Sequence, residues 1–374
     1  MSIISVPILV RGRHVMDGQY MPAEELPRRR AAIGELLVRH GLDGVICYAD
    51  SSCNGYVEYF TNYNCATPFT NALFLLTADG RSVLVASVPP RDTQRMRNGF
   101  IPDDVELLTV GMSPLANDHV GRKAVEFLAE NGLTGKIWGG VNLARCMKKT
   151  LDDLESALPP IADLTAEFEA LRAVKSAAEI EIIRRAASLA REAALTLAGA
   201  CREGAEECAA AAQADRLARC AGAEDIQIFI GTSESGRYLR LPQMRRLQKG
   251  EIVKILCQVQ YLRYRGLFAT TALVGADGPQ PEALAEEFGC ALRRIVPGAA
   301  YSGAEPDAEA AGHSAIHGLG LDLAEAPCAA FPLAEYEENM VLGVLLESDG
   351  AILADTVVCT GAGGLSLSGA AAAQ

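Results

Sequence analysis

Ser176-Ala-Ala-Glu179 opens the stretch that most narrows the folds available to this chain. A serine and a glutamate three residues apart satisfy each other's free backbone donors at the start of a helix. Apolar residues then recur at 180, 183, 187, 190, 194 and 197, close to helical period, so a long amphipathic helix is predicted there. A second, alanine-rich helix is predicted over Glu206 to Ala221. Strand-like runs follow. Ile226 to Gly231 is apolar, Glu251 to Gln260 is almost wholly apolar on one side, and Leu267 to Val274 comes after a basic, aromatic turn at Tyr261 to Arg265. Met340 to Leu346 and Ala351 to Cys359 flank Ser348-Asp349-Gly350, a turn with Asp-Gly at its tip. Two helices followed by long antiparallel strands describe an α+β domain.

The preceding residues have another rhythm. Pro27 to Arg39 reads as an amphipathic helix stopped by Gly41, and Gly44 to Tyr48 as a buried strand. Asn71 to Ser87 reads as two strands about Asp79-Gly80. A strand at Val105 to Val110, a helix at Gly121 to Glu130, a strand at Lys136 to Trp138 and a helix at Leu151 to Leu158 continue an α/β alternation. Pro159-Pro160 interrupts it as a linker, placing one domain at 1–160 and another at 161–374. Asp50-Ser51-Ser52-Cys53-Asn54 is polar, and loop chemistry accounts for it. The tail from Gly361, made of small residues, is expected to fray.

With 374 residues, 49% hydrophobic and 22% charged, the chain is globular and long enough for two domains. A net charge of -13 argues against nucleic acid and anionic membrane surfaces as partners, which leaves a small-molecule substrate or other proteins. Eleven cysteines without a CxxC pattern suggest reduced thiols and a cytoplasmic setting. Met1 to Val10 lacks the basic start and cleavage site of a signal peptide, and no apolar run approaches the roughly 18 residues of a spanning helix.

Chemistry gathers at His313-Ser-Ala-Ile-His317-Gly-Leu-Gly-Leu-Asp-Leu-Ala-Glu325-Ala-Pro327, which holds two of the chain's five histidines. Four residues apart, His313 and His317 would share one side of a helical turn or line one loop. Gly318 and Gly320 give the backbone freedom there, and Glu325 follows close by.

These residues carry a resemblance. Arg172-Ala-Val-Lys175-Ser176-Ala-Ala-Glu179-Ile180 looks like the helix that opens the C-terminal domain of creatinase, prolidase and aminopeptidase P, the peptidase M24 or pita-bread family. His317 to Pro327 resembles that family's HGIGLDVHEAP segment, Glu338 to Leu342 its ENMVL strand, and Ala354 to Val357 its IEDTV strand. Tyr59-Phe60-Thr61-Asn62-Tyr63 is similar to the YLTGY-type strand of its N-terminal domain. The resemblance implies a pita-bread C-terminal domain behind a creatinase-type α/β N-terminal domain, usually in a homodimer.

Metallopeptidases of that family hold two divalent metals with two aspartates, one histidine and two glutamates. The histidine falls on His317. The aspartates fall on Leu256 and Leu267, and the glutamates on Leu345 and Ala354. Aliphatic side chains have no lone pair to offer, so the expectation is no metal and no other cofactor, with Leu256, Leu267 and Leu345 lining an apolar pocket instead. His313 matches an extra histidine of aminopeptidase P. Two further family histidines would fall near Leu239 and on Ala324. Creatinase hydrolyses a C–N bond with a histidine and carboxylates and no metal, which implies His313 and His317 as acid and base and Glu325 or Glu347 as their partner. Arg240, Tyr261 and Tyr264 would supply a carboxylate-binding rim. The expected function is a metal-independent hydrolytic, lyase-type or cyclase-type reaction on a small molecule. A catalytically inactive binding or scaffold protein and an Xaa-Pro peptidase are the alternatives.

Overall fold

The computed structural model describes residues 6–10, 13–17, 21–22, 24–65, 70–88, 101–111, 119–232, 238–275, 282–301, 303, 313–348 and 350–370. Contacts divide the chain into two compact units, Met1–Leu171 and Arg172–Gln374.

In the first unit, β1 (Val6–Val10) and β2 (Arg13–Asp17) form a short antiparallel pair. The remaining strands are β3 (Gly44–Asp50), β4 (Asn71–Thr77), β5 (Ser82–Val88), β6 (Val105–Gly111), β7 (Trp138–Val141) and β8 (Ala162–Asp163). They form one mixed sheet in the order β6-β5-β4-β3-β7-β8, antiparallel only at β3–β4 and β4–β5. Helices α1 (Glu25–His40), α2 (Gly55–Thr61), α3 (His119–Glu130), α4 (Lys148–Ala157) and α5 (Thr165–Ala173) accompany them. Gly41 ends α1 in the left-handed conformation (φ 64°), as its place in the sequence predicts. Tyr48, Leu73 and Val85 meet Val120, Phe127 and Leu154 in the sheet–helix core.

One expectation is corrected here. Tyr59 to Thr61 belong to α2 and not to a strand. Every residue of that helix is buried, Phe60 stacks on Phe74 at 4.9 Å, and Asn62 closes it with φ 58°. The resemblance implied a strand, but burial around the whole circumference is a demand a short wedged helix satisfies.

In the second unit, α6 (Ala177–Ala200) starts with the capping box of Ser176 and Glu179, and α7 (Glu207–Cys220) follows. Six strands then run antiparallel in the order β12-β13-β14-β11-β10-β9: β9 (Asp225–Thr232), β10 (Ile252–Tyr261), β11 (Tyr264–Leu273), β12 (His313–Gly318), β13 (Val341–Ser348) and β14 (Ala351–Thr360). A short β15 (Gly363–Ser366) adds to β14, so part of the tail is paired and not frayed; residues 371–374 lie outside the described residues, as does Asp349 of the β13–β14 turn. Helix α8 (Glu282–Arg294) packs on β13, β14 and β15. Val253, Ile255, Cys257 and Val259 of β10 point into the core beneath α6 and α7. Alternation therefore turns Lys254, Leu256 and Gln258 to the opposite face, which the helices do not cover.

The eleven cysteines are all free thiols. Among the described residues no helix is long and apolar enough to cross a membrane.

Candidate functional site

The strand register lays three rows of side chains across the face turned away from α6 and α7. Phe229, Leu256, Ala269, Ala354, Leu345 and Ala315 stand opposite one another from β9 to β12. On one side of that apolar row come Gly231, Lys254, Thr271, Ile352 and Glu347. On the other come Gln227, Gln258, Leu267, Thr356, Gly343 and His317. Leu256, Leu267, Leu345, Ala354 and His317, the positions matched to the metal ligands, thus share one face.

His313 and His317 lie on strand β12, not on a helical turn or loop. Four residues along a strand set the two backbone positions roughly 13 Å apart. The backbone of His313 pairs with Glu347, and that of His317 with Gly343. His317 stands over Gly343: a Cβ there would come within 3.0 Å of His317 Cε1, 3.2 Å of Nε2 and 2.8 Å of Leu267 Cδ2. Glycine is what lets the imidazole and the leucine meet. His317 Nδ1 lies 3.0 Å from the Gly318 carbonyl oxygen. A carbonyl can only accept, so Nδ1 carries the proton and Nε2 keeps its lone pair. Burial pushes the His317 pKa below its ordinary value, against the smaller upward pull of that hydrogen bond. The ring is neutral at neutral pH.

Neither expected carboxylate partner serves His317. Glu325 is buried and ion-paired to Lys175 Nζ at 2.8 Å and Arg172 Nη1 at 3.3 Å, and it accepts the Asp322 N–H at 3.0 Å. Burial pushes its pKa up, but the two cations outweigh that and hold it below the ordinary carboxylate range. Arg172 also meets Asp322 at 2.9 Å. The two segments RAVKSAAEI and HGLGLDLAEAP therefore lock together through charge. The glycines of the second serve this lock: a Cβ on Gly318 would strike the Ala326 carbonyl oxygen at 2.1 Å, and one on Gly320 would strike the Glu325 carboxylate at 2.5 Å. Glu347, the other candidate, is ion-paired to Lys254.

The proposed rim also dissolves. Arg240 is held by the buried Glu207, whose own pKa is lowered: burial raises it, and Arg240, the Gln243 N–H and Arg245 outweigh that. Tyr264 is buried and donates to Glu179 Oε1 at 3.0 Å. Tyr261 packs against the helix-side core. Tyr261 and Tyr264 lie on the helix side of the sheet.

Sequence reasoning missed Lys254 and Gln258. Both interrupt an apolar strand at the period-two positions of Leu256, a signal that marks the face away from the core. Gln258 Oε1 is buried without a hydrogen-bond partner among the described residues. Leu239, near which a family histidine would fall, lies with the Lys254 stem over Gly231, at 2.9 and 2.7 Å from where a Cβ would stand.

A two-metal cage does not fit these residues. The five positions offer one imidazole nitrogen, and among the described residues no three His, Cys, Asp or Glu side chains are grouped so as to hold a metal ion.

The family model of metallopeptidase family M24 matches residues 181–361. The match lies wholly within the C-terminal unit. No curated protein matches the chain. Its fold is that of several solved structures. Prolidase from Pyrococcus horikoshii OT3 is 20% identical with a TM-score of 0.70, covering 91% of this chain and 98% of its own. X-Pro aminopeptidase from Thermotoga maritima MSB8 is 17% identical with a TM-score of 0.72, over 92% and 98%. A variant of Escherichia coli aminopeptidase P is 18% identical with a TM-score of 0.70, over 93% and 95%. Both units fall within these alignments, so the α+β pita-bread architecture and its N-terminal companion are the fold of these structures.

Proposed function

We propose that the sheet face of the C-terminal unit turned away from α6 and α7 is the active site of a metal-independent hydrolase acting on a small molecule, with His317 as the proton-transferring group. What carries this reading is the state of His317: neutral, its Nδ1 engaged by a carbonyl, its Nε2 lone pair over an apolar face. Such a nitrogen can take a proton from water as the water oxygen bonds to an electrophilic carbon. The π pair of that carbon moves to its heteroatom, then returns as the C–N bond breaks, and the imidazolium gives its proton to the leaving nitrogen. A lyase-type or cyclase-type reaction would use the same base on a C–H or N–H proton.

The test is turnover of small amides and amidines with and without a chelator, together with metal analysis of the pure protein. Activity that survives chelation and is abolished in a folded His317→Ala variant is the expected result. Inhibition by chelator with rescue by manganese would sink the metal-free reading and restore the Xaa-Pro peptidase, which an Xaa-Pro dipeptide assay with added metal checks directly. A catalytically inactive binding protein is favoured by one observation, that both carboxylates near His317 are engaged elsewhere. It predicts that His317→Ala changes nothing measurable. A homodimer and a cytoplasmic setting belong to the proposal, and sedimentation checks the first.

A further inference from the structure

Gln258 lies on β10 two residues beyond Leu256, on the face turned away from α6 and α7, and its Oε1 is buried without a hydrogen-bond partner among the described residues. Buried side-chain oxygens are paired in the large majority of cases, so an acceptor left over calls for a donor from outside the chain. Gln227 stands directly opposite on β9 with two N–H donors of its own, yet it does not serve this oxygen.

Access, position and charge say what kind of donor fits. The face is not sealed: Gln258, Phe229, Leu345 and His317 each keep partial exposure. Leu267 is the cross-strand neighbour of Gln258, and it also meets His317. Its Cδ2 lies 2.8 Å, and His317 Cε1 3.0 Å, from the place a Cβ on Gly343 would take, although β14 stands between β11 and β13. Strands two apart on a flat sheet are roughly 10 Å distant, so the sheet curls and brings the imidazole to the leucine that stands opposite the carboxamide. The row of Gln258 and His317 and the apolar row beside it contain no charged side chain, the His317 ring being neutral. An ion seated there would give up its hydration with no counter-charge in either row.

We propose that Gln258 determines substrate specificity: its Oε1 accepts the N–H of an uncharged carboxamide, linear or cyclic, whose apolar body lies along the row from Phe229 to Ala315 and whose carbonyl carbon is turned toward His317. The proposal rests on the reading of this face as the small-molecule site and narrows its substrates to neutral C–N compounds that carry a free N–H. A ketone or ester of the same shape leaves the buried oxygen as it was, and a site built to hydrogen-bond an N–H rejects the analogue that lacks it.

NMR-detected titration, which also reports any turnover, tests this with hydrocinnamamide and with benzylacetone, the methyl ketone of the same shape without the N–H. Wild type is expected to bind the amide at least about tenfold tighter than the ketone, the equivalent of one hydrogen bond. Gln258→Leu is expected to bring the amide down to the level of the ketone while the ketone binds as before, which also shows that the variant is folded. Gln258→Glu keeps an acceptor of the same reach and must retain the preference for the amide. Equal binding of the two probes to wild type, a preference that survives Gln258→Leu, or one that is lost in Gln258→Glu would each overturn the acceptor role. Leu345→Trp fills the apolar row and separates the two claims. If both probes still bind to it, or neither binds to wild type, the small-molecule site is refuted along with the proposal; if it removes both probes while wild type binds amide and ketone equally, only the assignment of Gln258 fails.

Discussion

Glu325 and Glu347 are both within reach of His317 in sequence terms, yet each is claimed by a lysine. For Glu325 the environment is fully buried, with Arg172 and Lys175 on either side. Removing one member of such a group leaves uncompensated charge in a low-dielectric interior, so Glu325→Ala is expected to lower unfolding stability by about 3–5 kcal/mol in a urea titration. His317 titrates in the opposite sense to an exposed histidine. Its folded pKa lies below the unfolded value, so protonation favours the unfolded chain and the stability contributed by the neutral ring is lost as pH falls through the region below about 6.5. NMR titration should place its midpoint below that value. Asp355 is the mirror case. Burial raises its pKa to about 6 against the hydroxyls of Ser366 and Ser368 that donate to it. Between about 4 and 6 the native state keeps a proton the unfolded chain has released, so stability contributed by this group declines as pH rises through that window. Asp355→Asn should flatten that decline and gain stability at neutral pH, by something on the order of 2–3 kcal/mol at most.

At the level of elements, what could be read from the sequence was whatever a period announces. The capping box of α6, the alternation in β10 and the β4–β5 hairpin each stand where their patterns put them. Tyr59 to Thr61 misled because a five-residue resemblance carries no periodicity, and the segment is a helix buried on every side. His313 and His317 misled for a related reason: spacing of four is compatible with a helical turn and with one face of a strand. Resemblance located Leu256, Leu267, Leu345 and Ala354 on one face, but the partners of Glu325 and Glu347 were illegible, because Lys175 and Lys254 lie 150 and 93 residues away. Thr356 is a further such case. Its hydroxyl accepts from Leu267 N at 2.8 Å and donates to Leu267 O at 3.0 Å, standing in for a backbone partner between β11 and β14. Thr356→Val keeps the shape and strands two buried backbone groups. It should cost about 1–3 kcal/mol per group and show as fast hydrogen exchange at Leu267.

For the whole molecule, two consequences concern what holds it together. A family cage would couple folding to metal, since ions bound only by the native state raise the melting temperature. With one imidazole at the five positions, the melting temperature is expected to be the same in chelator and in added manganese. Eleven free thiols and no disulfide imply, likewise, that reductant leaves it unchanged.

The lock formed by Arg172, Lys175, Asp322 and Glu325 shapes the chain just beyond His317 without using any of the five positions matched to the metal ligands. Scaffold and reagent are therefore wired separately. A chain built this way is free to exchange its reactive inventory, acids for hydrocarbons or a metal for an amine, while the frame that aims the imidazole never registers the change.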